Sequence, residues 1–135
     1  MSHRFAHSLF LSPLAMDEIE HAAERLFTQG VVRMNALPPD LPGAVSCFSR
    51  ALFLAPTAAP LHAHRGEALL RLCDLSAALL SFRRAHTLAP TDGAIRARLA
   101  QLHYMQGRLH LDAGETEHAA EGVVAHARGS ECCEC

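Results

Sequence analysis

Two stretches of this chain spell the same helix twice, 34 residues apart. Residues 42–56 read PGAVSCFSRALFLAP and residues 76–90 read SAALLSFRRAHTLAP. Seven of fifteen places agree: Ala44/Ala78, Phe48/Phe82, Arg50/Arg84, Ala51/Ala85, Leu54/Leu88, Ala55/Ala89 and Pro56/Pro90. A fixed period of this size constrains the fold more than composition does. One unit of that length cannot bury its own apolar face, so units stack and share a core. Within each copy Ala, Phe, Ala and Leu recur at spacings of four, three and three, which is one face of a helix. The small residues let a neighbouring helix approach, and the Phe fills the space between. Proline closes the unit because it cannot continue the helix and turns the preceding residue away from helical angles.

The segments upstream of the two copies predict partner helices over residues 16–36 and 58–73. Gly30 and Gly66 fall in mid-helix, where glycine costs about 1 kcal/mol against alanine. A glycine repeated at such a cost points to close contact with the second helix of its pair. Gly66 precedes Ala78 by 12 residues and Gly30 precedes Ala44 by 14, so the first hairpin loop, LPPD at 37–40, is expected to carry two extra residues. A third, degraded unit follows. Thr91 or Asp92 caps a helix expected to run to Ala113, with Gly114 as its stop and Gly107 in the glycine place. Glu115 then opens a second helix with Ala120, Val124 and Ala127.

Composition agrees with helices. Ala (24) and Leu (20) supply 44 of 135 residues, and aromatic residues make up only 5%. The net charge of −2 lacks the basic excess of a typical nucleic-acid binder. All twelve basic side chains are arginine, for which the sequence gives no physical reason. No apolar run approaches the ~18 residues of a membrane span. The run LFLSPLAM at 9–16 is too short, and too soon interrupted by Pro13 and followed by Asp17 and Glu18, to read as a signal-peptide core.

A 34-residue helix–turn–helix with Gly in its first helix, Ala-x3-Phe-x2-Ala in its second and a closing Pro resembles the tetratricopeptide repeat. The residues that carry the resemblance are Gly30, Ala44, Phe48, Ala51 and Pro56 in the first unit. In the second they are Gly66, Ala78, Phe82, Ala85 and Pro90, and in the third Gly107. The family's first-helix aromatic is replaced by Leu26 and His62, and its leucine beside the glycine by Gln29 and Arg65. Residues 23–127 are similar to the N-terminal repeats of a much longer family member, which implies a fragment or short form and leaves, as an alternative, a truncated scaffold with no independent function. The resemblance implies an all-α, right-handed α–α superhelix of three helical hairpins, about six helices. An N-terminal tail would cover residues 1–16 and the repeat domain 17–127, with repeats at about 23–58, 59–92 and 93–127. A cysteine-rich tail would cover 128–135.

Function follows from the resemblance as an expectation: a non-catalytic scaffold, cytoplasmic or in a cilium or flagellum, that binds a helical or extended peptide in a concave groove. Transferred residue by residue, the groove would be Phe27, Val31 and Met34, then Ala63, Glu67 and Leu70, then Tyr104, Arg108 and Leu111. Its partner is expected to be a protein or peptide, not nucleic acid or membrane, with self-association by repeat stacking as a further expectation. Some co-chaperone members grip a C-terminal carboxylate with Lys, Asn and Arg. The matching residues here are Phe27, Val31, His64, Gln101 and Met105, which lack the fixed cations such a grip needs.

Catalytic signals are absent from the sequence. The acids Glu18, Glu20 and Glu24 suit the opening turns of a helix, and no phosphate-cradling glycine loop or nucleophile elbow occurs. Arg50, Arg83 and Arg84 read as a solvated outer face. The alternative from another class is a metal- or thiol-dependent protein. It would use His103, His110 and His118, or Cys132, Cys133 and Cys135, and neither set supplies a complete ligand shell. No metal and no cofactor is therefore expected. Cys47 and Cys73 read as small packing residues, and the odd count of five cysteines is no disulfide framework.

Overall fold

The computed structural model describes residues 13–118. They form five helices: α1 Pro13–Met34, α2 Leu41–Leu54, α3 Ala59–Arg71, α4 Leu75–Leu88 and α5 Gly93–His118. Among the described residues there is no strand. Helix α1 begins inside the stretch expected as a tail, since proline is tolerated in a helix's first turn.

The repeated sequence gives repeated local structure. Asp40 and Asp74 cap α2 and α4: their Oδ1 atoms accept the Gly43 and Ala77 N–H groups at 3.0 and 3.1 Å. Both helices end one residue short of the alanine that precedes proline. Ala55 and Ala89 leave helical geometry at φ −133° and −135°, out of the helical region that a following proline disfavours. Asp92 caps α5, accepting from Ala94 N–H at 2.9 Å and Ile95 N–H at 3.2 Å. The turn between α3 and α4 is a Schellman motif. Asp74 N–H reaches Leu69 O at 3.0 Å, Cys73 N–H reaches Leu70 O at 2.9 Å, and Cys73 has φ 65°. Cys73 is therefore the residue on which the chain reverses, not the packing residue expected. Cys47 is buried in α2 as expected, with a free thiol.

Helix α1 packs on α2 and α3 on α4, while α2–α3 and α4–α5 contacts join successive units and α1 also meets α3. Two apolar clusters result. Met34, Ala44, Phe48, Ala51, Leu61 and Ala68 form the first. Leu69, Leu70, Ala78, Leu79, Phe82, Ala85, Ile95 and Leu102 form the second. Helix α3 belongs to both: Leu61 and Ala68 join the first cluster, Leu69 and Leu70 the second. Each paired hairpin closes on a glycine and a phenylalanine. A Cβ on Gly30 would lie 2.6 Å from the Phe48 ring, and one on Gly66 would lie 2.6 Å from the Phe82 ring.

Where the family carries leucine, polar contacts take over. Gln29 Oε1 lies 3.8 Å from Cys47 Sγ. At the equivalent place Arg65 donates through Nε to Ser49 Oγ at 3.1 Å and through Nη1 to Ser81 Oγ at 3.4 Å. Arg65 thus ties α3 to both flanking second helices. Arg71 adds a tie between hairpins, donating to the Met34 carbonyl at the end of α1 at 2.9 Å.

The third unit departs from its expected register. Gly107 is exposed, and among the described residues a Cβ there would meet nothing within 4 Å, so the ring contact made at Gly30 and Gly66 is not repeated there by any of them. The 34-residue period continues unbroken into α5: Leu61 is matched by the buried Ile95 and Ala68 by the buried Leu102. Ala100 holds the glycine place. Gly114 does not stop the helix, which runs through it to His118 without a left-handed residue there. The expected helix from Glu115 is corrected at its start, since residues 115–118 belong to α5. Ala120, Val124, Ala127 and the cysteine tail lie outside the described residues. A glycine marks a close approach only where a ring from the second helix comes to meet it.

Candidate functional site

Among the described residues the first helices α1, α3 and α5 share one side of the stack, and two hollows open between them. The first, about 340 Å³, lies between α1 and the start of α3, with Glu20, Ala23, Glu24 and Phe27 on one wall and Ala55, Ala58, Pro60 and Leu61 on the other. The second, about 180 Å³, lies between α3 and α5, lined by Ala63, His64, Glu67, Ala94, Ile95 and Arg98, with Phe82 closing it from α4. Phe27 lines the first and His64 the second, and these rings meet edge to face, centroids 4.8 Å apart at 87°. Phe48 lies beneath both, at 6.0 Å from Phe27 and 5.9 Å from His64. The imidazole is held from its other side, where Nδ1 donates to the Pro60 carbonyl at 2.8 Å. His62 is tied similarly through Nε2 to the Pro56 carbonyl at 2.9 Å.

The second hollow has a polar rim on an apolar floor. Arg98 Nη2 donates to Glu67 Oε1, and Arg98 Nη1 donates to Gln101 Oε1 at 2.9 Å. Glu67 Oε2 is buried with no hydrogen-bond partner.

The expected groove residues divide three ways. Phe27 lines the first hollow and Ala63 and Glu67 the second. Val31, Met34 and Leu70 pack into the apolar clusters instead, Met34 at 9% and Leu70 at 8% exposure. Tyr104 and Leu111, each 67% exposed, and exposed Arg108 line neither hollow. As counterparts of Ala63, Glu67 and Leu70, these three positions lie beyond the register that the 34-residue period sets for α5. The residues that α5 does bring to the site, Ala94, Ile95 and Arg98, were readable by adding 34 to Pro60, Leu61 and His64.

Among the described residues no three His, Cys, Asp or Glu side chains are grouped so as to hold a metal ion. His103 and His110 stand exposed on α5. The His118 side chain and Cys132, Cys133 and Cys135 lie outside what is described. No described helix is long and apolar enough to cross a membrane. Arg50, Arg83 and Arg84 are exposed on the second helices, as read from the sequence.

Paired helices at a 34-residue period, each pair closed by a glycine under a phenylalanine ring, define a tetratricopeptide-like helical solenoid. No family model matches the chain. It is similar to Tetratricopeptide repeat protein 16 of Mus musculus, 40% identical over 72 residues, which is 53% of this chain and 9% of that protein. The proteins of the same name from Homo sapiens and Macaca fascicularis are each 43% identical over 65 residues, 48% of this chain and 7% and 8% of theirs. The match thus spans less than a tenth of each relative.

Proposed function

We propose that this chain is a non-catalytic interaction module that holds a peptide of a partner protein along the α1–α3–α5 face. The observation that carries the reading is the Phe27–His64 contact. It leaves an apolar hollow on either side, on the face formed by the first helices. Two hollows flanking an aromatic ridge suit side chains of an extended segment or of one helix face. The resemblance to tetratricopeptide repeats supports a scaffold rather than an enzyme, and a cytoplasmic or ciliary place of action.

Selection from a random peptide phage library on the full chain tests this. The selected peptides should lose binding to Glu20→Arg and Ala94→Arg, which change exposed residues at the two hollows without touching either core. Tyr104→Arg should leave binding unchanged. Failure to select any peptide, or binders sensitive only to Tyr104→Arg, rejects the reading.

A further inference from the structure

Glu67 is the one acid in the second hollow, and its two oxygens are unequally placed: Oε1 takes the Arg98 guanidinium, while Oε2 is buried and has no donor. A buried acceptor without a donor is costly, so a group that supplies one is favoured there. The terminal torsion of a glutamate is broad, so the carboxylate can turn one oxygen toward the hollow while the other keeps Arg98. A second cation is disfavoured, because Arg98 already holds the same carboxylate and would repel it. A neutral N–H donor meets no such penalty. Arg98 offers the complementary half, since a guanidinium has five N–H donors and only Nη1 and Nη2 are engaged, with Gln101 and Glu67. Once the carboxylate turns, acceptor and donor stand side by side above a floor of Ala63, Phe82, Ala94 and Ile95.

Building on the peptide-binding reading above, we infer that the second hollow is a subsite for a primary carboxamide on a short apolar stem, the side chain of a glutamine or asparagine in the bound peptide. The stem lies on Ile95 and Ala63, the amide N–H donates to Glu67, and the amide C=O accepts from Arg98.

Titration of the methyl-labelled full chain with small probes, followed by NMR, tests the subsite without any peptide. Butyramide should shift the Ala63, Ala94 and Ile95 methyl signals saturably. 2-Pentanone, which keeps the shape and the carbonyl and lacks the N–H, should bind about tenfold more weakly. Glu67→Met, similar in volume, should erase that difference between the probes. The wild-type comparison stands alone if the variant does not fold. Equal binding of 2-pentanone, tighter binding of butylammonium, or no shift with any probe overturns the inference. If peptide selection succeeds while the probes fail, the subsite is wrong and the groove stands. If the probes behave as expected and no peptide is selected, the groove reading is what fails.

Discussion

Gly66 lies so close beneath Phe82 that a Cβ on it would sit 2.6 Å from the ring's Cε2 atom. That distance is far inside van der Waals contact, and Phe82 is 3% exposed, so the ring has little room to withdraw. Alanine at this position gains about 1 kcal/mol of helix propensity and loses about 1–3 kcal/mol to overpacking. Gly66→Ala is therefore expected to be destabilising in urea unfolding, and Gly30→Ala, under Phe48, likewise. Gly107→Ala meets open space and should stabilise by about 0.5–1 kcal/mol.

The register of α5 has its own test. Leu102 is fully buried and Leu111 is 67% exposed. Leu102→Ala should cost about 2–5 kcal/mol in the same unfolding assay, and Leu111→Ala no more than about 0.5. Similar costs at both positions would mean that α5 is turned from the orientation described.

Arg65 is a leucine replaced by a hydrogen-bonded tie. Arg65→Met removes the donors to Ser49 and to Ser81, and Ser81 is 2% exposed. Leaving that buried hydroxyl without its arginine is expected to cost about 1–3 kcal/mol. Ser81→Ala should recover part of the loss in the Arg65→Met background, a non-additivity read by a double-mutant cycle.

Acid should act on the first hairpin through Asp40. The Gly43 N–H and then the Arg33 guanidinium, 2.8 Å away, hold its carboxyl below the ordinary value of 3.8. A carboxylate favoured in the folded state stabilises above its unfolded pKa, and that contribution is lost as the pH falls through the folded one. Unfolding midpoints followed below pH 4 should drop less for Asp40→Asn than for wild type, since the amide keeps a cap and has no proton to take up. Equal acid sensitivity in both would contradict this role.

The repeat was legible because its parts are local in sequence. Phe48 and Phe82 announced the paired helices, Gly30 and Gly66 announced where they touch, and Pro56 and Pro90 announced the breaks. The caps at Asp40 and Asp74 share the same 34-residue offset and were equally available. Gly107 matches the pattern in identity, and no ring among the described residues meets it. Residue identity cannot say whether a ring will arrive opposite a glycine, since that depends on a second helix. The site was half legible for the same reason. Phe27, Ala63 and Glu67 lie on helices anchored by their own glycines, whereas the contributions of Ile95 and Arg98 depended on a register that only burial resolves.

The most direct measurement is an NMR titration of the assigned full chain with one phage-selected peptide, read residue by residue. The account predicts saturable shifts at Phe27, Ala63, His64, Glu67, Ile95 and Arg98, with Tyr104, Leu111 and the outer-face Arg50 and Phe53 unmoved. Shifts confined to Tyr104 and Leu111, or to Arg50 and Phe53, would contradict it by placing the partner away from both hollows.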